Sequence, residues 1–197
     1  SSTGPLNDLS GSTTDVAGRL GRARHFDGST AAILSAHDNP SLNPTAGLTV
    51  SAWVNSENWA SGNHRILQKG DNDDQYRFMC ESNQLKLSLN SIGTSAVSAL
   101  PPLLQWHHLA STYDGAITRV YVDGTEVRND GMNGAIKVST FDLHIGAKQP
   151  AGVAGDHFAG GIDEVRLSGA ARSAAWIRAE YLAGTGGMIH LGPEETR

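Results

Sequence analysis

Two Asp-Gly pairs that bracket one short apolar segment constrain the fold of this chain most strongly. Residues 106–113 run into Asp114-Gly115, and residues 117–122 run into Asp123-Gly124. Asp-Gly accepts the positive φ angles that tight hairpin turns require. The sequence therefore predicts three consecutive antiparallel strands in this region.

The alternation of apolar and polar residues that marks a strand recurs along most of the chain. Leu85, Leu87 and Leu89 alternate with polar residues and follow a polar turn at 81–84, which predicts a second hairpin with 76–81. Helical periodicity is confined to 173–183, a predicted helix on the sheet edge that Ser173 can cap and Gly184 can end. We expect an all-β sandwich of two antiparallel sheets with one short C-terminal helix.

Composition and charge exclude several classes of protein. The 197 residues fit one main domain, and the single cysteine, Cys80, excludes an internal disulfide framework. A net charge of -5 without a basic run argues against nucleic acid, and no apolar run suits membrane insertion. We expect an N-terminal extension at 1–17, a domain at 18–184 and a tail or linker at 185–197.

A series of short motifs resembles one known family. In chain order they are Arg24-His25-Phe26-Asp27-Gly28, Gly47 to Val54, Ile66 to Asp71, Trp106-His107-His108-Leu109-Ala110, Tyr121-Val122-Asp123-Gly124 and Gly160 to Leu167. Together they resemble the LamG-like (laminin G-like) domain, a jelly roll of the concanavalin A-like lectin/glucanase superfamily. The resemblance implies sugar or protein ligands on the concave sheet or along its rim.

The C-terminal residues from Glu180 onward also resemble the end of this domain in large secreted bacterial proteins. The resemblance therefore implies an extracellular or cell-surface location, although this chain carries no signal peptide, and neighbouring domains of the same protein as possible partners. It also implies a structural Ca²⁺ ion. Asp27 and Asp163 are the candidate ligands, because the first and last strands of a jelly roll lie side by side. The alternative is that Asp27 caps its own turn and Asp163 pairs with an arginine such as Arg166.

Trp59 is the candidate centre of a sugar-binding site. It lies in a polar segment followed by His64 and Arg65, and an exposed indole can stack on a sugar while polar groups bind its hydroxyls. Gln75, Tyr76 and Arg77 complete the predicted ligand-binding set. The alternative is that Trp59 folds onto the core edge or meets another domain, whereas Trp53, Trp106 and Trp176 are predicted to pack.

No motif indicates catalysis. The chain lacks a Glu-x-Asp-x-Glu strand for glycan cleavage, and no two of its eight histidines have zinc-ligand spacing. We therefore expect a noncatalytic module that binds a polysaccharide or surface glycan. A protein interaction or adhesion module and an atypical glycan-active enzyme are the alternatives.

Overall fold

The structure is a computed structural model that describes residues 7–8, 13–59, 62–70, 75–90, 92–98, 100–148 and 156–187. No helix in these residues is long and apolar enough to cross a membrane.

Fourteen strands and one α-helix make up the described part of the chain. The strands are β1 Asn7–Asp8, β2 Thr14–Ala17, β3 Arg22–Asp27, β4 Leu34–Ala36, β5 Leu48–Ser56, β6 Asn63–Lys69, β7 Tyr76–Glu81, β8 Gln84–Leu89, β9 Gly93–Val97, β10 His107–Tyr113, β11 Ile117–Val122, β12 Thr125–Gly131, β13 Leu143–Ile145 and β14 Ala159–Ser168. The helix α1 is Ala174–Thr185, and Pro40–Leu42 form a short 3₁₀ turn.

The described strands form two seven-stranded antiparallel sheets that enclose one core. Sheet A has the order β1-β4-β13-β6-β7-β8-β9, and sheet B has the order β12-β11-β10-β5-β14-β3-β2. Apolar residues from both sheets, among them Val50 and Phe78, are fully buried between them. The predicted all-β sandwich is confirmed. The polar segment 1–17 contributes an edge strand to each sheet, β1 and β2.

The predicted hairpins are confirmed, although at the first Asp-Gly pair only Gly115, with φ of 92°, has a positive angle. Asp123 and Gly124 both have positive φ between β11 and β12, at 51° and 72°. Ser82 and Asn83 have φ of 54° and 59° between β7 and β8. Consecutive positive φ angles in a two-residue loop match the right-handed twist of the strands that the loop joins.

Strand β14 lies between β3 and β5 and joins the two ends of the domain. Gly161 of β14 lies opposite His25 on one side and Asn55 on the other. A register shift between Asp163 and Arg166 interrupts the pairing of β14 with β5. This local bulge redirects the side chains that follow it.

Helix α1 packs on the outer face of sheet B, the face turned away from the shared core, and not on the sheet edge as predicted. Ser173 caps it by accepting a hydrogen bond from Trp176 N at 3.2 Å. Ile177 packs on Ala110 and Tyr121. The ring of Tyr181 stacks on Trp53, with centroids 5.7 Å apart.

Gly184 does not end the helix, which continues to Thr185 and is capped by Gly186 in the left-handed conformation. A Cβ atom at Gly184 would lie 2.5 Å from Trp53 Nε1. The glycine is therefore needed for contact with the sheet, because any side chain would push the helix away from Trp53.

Glu180 fixes the helix to the sheet by charge. Its carboxylate accepts a hydrogen bond from Arg166 Nη1 at 2.7 Å and lies 3.5 Å from His108 Nε2. Burial raises the pKa of Glu180, but the hydrogen bonds from His108 and Arg166 outweigh burial and hold the pKa below its ordinary value. The ionised form of Glu180 therefore stabilises the docked helix.

Gly184→Ala should destabilise the fold although alanine is the better helix former. The new methyl group would overpack Trp53 at a cost of about 1–3 kcal/mol, against about 1 kcal/mol gained in helix propensity. Urea unfolding measures the net loss. Gly131→Ala is the matched control, since a Cβ there meets no atom within 4 Å. Equal stability of Gly184→Ala and the wild type would contradict the packing argument.

Glu180→Gln should lower the free energy of unfolding by about 1–2 kcal/mol at neutral pH, because the amide replaces a charged acceptor. A carboxyl group whose pKa is depressed by folding stabilises the protein above its unfolded pKa and loses that effect as pH falls. The difference between the variant and the wild type should therefore shrink below about pH 4.3. Denaturant titrations across that range measure it, and a pH-independent difference would contradict the assignment.

Candidate functional site

A continuous row of polar side chains crosses the outer face of sheet A. Register pairs its members one strand after another, so they share one face while Leu67, Phe78 and Leu87 point into the core. The row consists of Ser35, His144, Gln68, Arg77, Ser88 and Thr94, on β4, β13, β6, β7, β8 and β9 in that order. Six strands at their usual spacing give this polar row a length of about 24 Å.

Three adjacent members of the polar row carry polar atoms without a partner. Ser35 Oγ, His144 Nδ1 and Gln68 Oε1 are buried and form no hydrogen bond in the described part of the chain. Buried polar atoms normally have a partner, and leaving one unpaired costs about 1–3 kcal/mol. Three of them on neighbouring strands mark a place where a further hydrogen-bonding group is needed.

The other end of the polar row is already connected internally. Arg77 Nη2 donates to Ser88 Oγ at 3.1 Å, and Thr94 Oγ1 donates to the same oxygen at 3.0 Å. Arg77 is half-buried and Thr94 is exposed. The row is therefore enclosed at the Ser35 end and open at the Thr94 end.

Charged residues form a second line beside the polar row. Arg65 lies 3.5 Å from Asp156 and 3.9 Å from Glu81, and Lys86 lies 3.1 Å from Glu81. Burial lowers the pKa of Arg65, while the Asp156 carboxylate opposes this effect. These opposed charges neutralise one another, so the face is strongly polar and not dominated by one sign of charge.

Burial favours the neutral form of the His144 imidazole. Burial lowers its pKa, Asp142 opposes the shift and Lys69 adds to it. A neutral imidazole has one donor nitrogen and one acceptor nitrogen. The unpaired Nδ1 can therefore either donate or accept, depending on which nitrogen carries the proton.

The prediction that Trp59 is an exposed sugar platform is wrong, and the alternative that it folds onto the core edge is confirmed. Its side chain is 6% exposed and packs edge-on against Phe158. Its Nε1 donates to the carbonyl oxygen of Pro101 at 3.0 Å. Burial and this hydrogen bond leave no stacking face for a ligand.

Three more predicted ligand-binding residues are buried in structural contacts. His64 lies opposite Cys80 and binds the carbonyl oxygen of His157 through Nδ1. Gln75 bridges Asn43 and Ser139, and Tyr76 donates its hydroxyl proton to the carbonyl oxygen of Leu42. These hydrogen bonds hold neighbouring segments together, and His64 Nε2 is buried without a partner in the described part of the chain. The three residues therefore do not form an exposed ligand-binding surface.

Arg65 and Arg77 are the predicted residues that lie on the outer face of sheet A. The prediction missed Ser35, Gln68, Ser88 and His144. The alternation of polar with apolar residues in the sequence is consistent with Ser88 and His144 facing away from the core. It could not show which strands are neighbours, and therefore that these residues form one row.

The predicted calcium ligands do not lie together. Asp27 pairs with Ala159, so Asp163 lies four residues further along β14, about 13 Å away. Asp27 is exposed and accepts a hydrogen bond from Ser29 N at 2.8 Å, which lowers its pKa. The alternative that Asp27 caps its own turn is therefore confirmed, and a site shared by the two carboxylates is wrong.

Asp163 alone can supply one of the oxygen ligands that a bound cation requires. Its side chain is 7% exposed, and its Oδ2 accepts a hydrogen bond from Leu20 N at 3.0 Å. A Cβ at Gly18 would lie 2.5 Å from that oxygen, so the loop 18–21 closes tightly around the carboxylate. Arg166, the partner expected in the alternative, binds Glu164 and Glu180 instead.

In the described ranges no basic side chain forms an ion pair with Asp163. No three His, Cys, Asp or Glu side chains of those ranges come close enough to hold a metal together. Backbone carbonyl oxygens would therefore have to supply most of the ligands of a Ca²⁺ ion at Asp163, which this hard cation accepts.

Solved structures with the same fold include binding domains. The binding domain of Paraclostridial Mosquitocidal Protein 1 aligns with a TM-score of 0.71 and 12% identity, over 91% of this chain and 47% of that one. Domain 4 of AbnA, a GH43 extracellular arabinanase from Geobacillus stearothermophilus solved with arabinotriose, aligns with a TM-score of 0.68 and 18% identity, over 85% and 80%. A candidate carbohydrate-binding protein from Bacteroides ovatus aligns with a TM-score of 0.62 and 20% identity, over 79% and 45%.

The chain spans about half the length of the first and third of these structures. At such low sequence identities the likeness shows the fold alone.

No curated protein sequence matches the chain significantly. The profile of the laminin G-like family of the concanavalin A-like lectin/glucanases superfamily matches residues 27–178, most of the chain. The chain therefore belongs to this family. Its two antiparallel sheets and the pairing of β3 with β14 agree with this membership.

Proposed function

We propose that this domain is a noncatalytic carbohydrate-binding module whose ligand lies along the polar row of sheet A. The observation that carries the proposal is the set of three unpaired atoms on adjacent strands, Ser35 Oγ, His144 Nδ1 and Gln68 Oε1. Sugar hydroxyls both donate and accept hydrogen bonds, so one ligand can pair with a hydroxyl, an imidazole nitrogen and an amide oxygen.

The shape of the polar row supports a ligand of several sugar units. A length of about 24 Å exceeds one sugar ring several times, and only the Thr94 end is exposed. The partner is then a polysaccharide or surface glycan, and the setting is extracellular or at the cell surface.

Two structures with this fold support carbohydrate as the ligand class. One is a domain bound to arabinotriose, and the other is a candidate carbohydrate-binding protein. The arabinanase domain belongs to an enzyme, whereas the toxin domain is a binding domain. Release of product from a bound oligosaccharide would replace the proposed binding role with an enzymatic one.

Trp176 favours a protein partner as the second candidate function. It was predicted to pack, but 53% of it is exposed on helix α1, and Arg172 lies 4.6 Å from its ring. An exposed tryptophan beside an arginine is typical of protein interfaces. A neighbouring domain docked there would protect Trp176 from a fluorescence quencher.

Ser35→Ala should weaken glycan binding without destabilising the free domain. The change removes an unpaired hydroxyl, so the free energy of unfolding should stay equal or rise, while one ligand hydrogen bond worth about 0.5–1.5 kcal/mol is lost. Calorimetry with arabinotriose and with the best ligand from a glycan array should show binding weakened about two- to tenfold.

Ser168→Ala, on sheet B, is the matched control and should bind as the wild type does. If Ser35→Ala and the wild type bind every ligand with equal affinity, the polar row is not the binding site. The absence of any bound glycan would overturn the proposed function itself.

We further propose that Asp163, without Asp27, binds a structural Ca²⁺ ion with backbone carbonyl oxygens of the chain. A carboxylate that is buried without an ion-pair partner favours a cation nearby. Chelator should lower the melting temperature of the wild type, since a ligand that binds only the folded state stabilises it by mass action, by about 2.7 kcal/mol at 100 times Kd.

Asp163→Asn should make the melting temperature independent of calcium. Asp27→Asn should keep the full calcium dependence, because Asp27 caps a turn about 13 Å away. An identical transition of the wild type with chelator and with added calcium would exclude the ion.

A further inference from the structure

A groove lies on the outer face of sheet B, the face on which helix α1 also packs. It has a volume of about 320 Å³, at the small end of the range for small-molecule sites. Gly161 forms its floor, between His25 on β3 and Asn55 on β5. Val16 and Ala17 of β2 line one side, and the segment before β10 lines the other.

Trp106 covers part of this floor, although its position predicted packing in the core. A Cβ at Gly161 would lie 2.7 Å from Trp106 Cη2, so the indole rests directly on the glycine. The side chain is half-buried, and its Nε1 makes no hydrogen bond within the described residues. The exposed part of this indole is a surface on which a ligand can stack, beside a free N–H donor.

Hydrogen-bond acceptors converge on the groove. Asn55 Oδ1 is buried and has no hydrogen-bond partner among the residues that the structure describes. His25 Nε2 lies 2.8 Å from Glu57 Oε1, and because the carboxylate can only accept, Nε2 carries the proton when the imidazole is neutral. His25 Nδ1 and the second Glu57 oxygen then remain available as acceptors.

Leu104 gives the mouth of the groove an exposed apolar side chain. It is 71% exposed and has a positive φ of 59°, which is uncommon for a leucine. Its N–H donates to the carbonyl oxygen of Ser56 at 2.9 Å, which fixes the loop against β5. A strained, exposed leucine held beside an indole points to a ligand with an apolar face.

We infer that this groove binds one sugar residue, with its C–H face against Trp106 and its hydroxyl groups donating to Asn55 and Glu57. It is separate from the polar row, because the two lie on opposite outer faces of the sandwich. The domain would then hold glycan on both faces, and two linked binding events on one polysaccharide raise the overall affinity without new contacts.

The test uses the indole N–H signals of the four tryptophans in a ¹⁵N NMR titration with arabinotriose, cellotriose and the glucosamine trimer. The Trp106 signal should shift and saturate with at least one of these probes. Trp106→Ala should abolish that binding event, whereas Trp176→Ala, the matched exposed tryptophan, should leave the Trp106 shift unchanged.

Glu57→Gln keeps the size of the side chain and removes its charge, so it should weaken this event about tenfold. Ser35→Ala should leave the affinity at the groove unchanged, which distinguishes binding in the groove from binding at the polar row. The inference is overturned if the Trp106 signal does not move with any of the three probes, or if Trp106→Ala binds with unchanged affinity. This holds whether or not a glycan binds at the polar row of sheet A.

Discussion

The pairing of β14 between β3 and β5 is the interaction on which the remaining features depend. It brings the start and end of the domain together and fixes which residues are neighbours. That register places Gly161 between His25 and Asn55, and it places Asp163 against the loop 18–21. It also separates Asp27 from Asp163. A shift of one residue would exchange the inward and outward sets of β14 and remove both arrangements at once.

The two outer faces are occupied in different ways. On sheet B, α1 covers the region around Trp53 and Ala110 through apolar packing and the buried carboxylate of Glu180, so the groove at Gly161 lies beyond the helix. On sheet A, polar side chains continue across six strands without a described helix over them. The enclosed end of that row leaves three polar atoms without a partner among the described residues, which costs stability in the free protein. A site that costs stability is typical of function, because selection for folding alone would remove it.

Much of the fold could be predicted from the sequence, because the period-two pattern and the turn residues act locally. The Asp123-Gly124 turn and the Ser173 cap are examples. Trp59 was misjudged because its sequence neighbours are polar, whereas Pro101, its hydrogen-bond partner, is 42 residues away. Gly184 was misjudged for a related reason: glycine suits both a helix end and a close approach, and only the position of Trp53 distinguishes them. The polar row was missed because it depends on strand order, which pairs His144 with Gln68, a residue far away along the chain.

The sandwich itself determines how the two proposed glycan sites can interact. Between them lies a core of close-packed apolar side chains, and the hydrogen bonds described for the polar row and for the groove have no residue in common. Substitutions at sites without shared partners usually have additive effects, so Ser35→Ala and Glu57→Gln should act independently. Any cooperation between the faces would then come from a polysaccharide long enough to reach both, and it should disappear with short oligosaccharides. Avidity that persists with a trisaccharide would instead require a conformational change transmitted through the core.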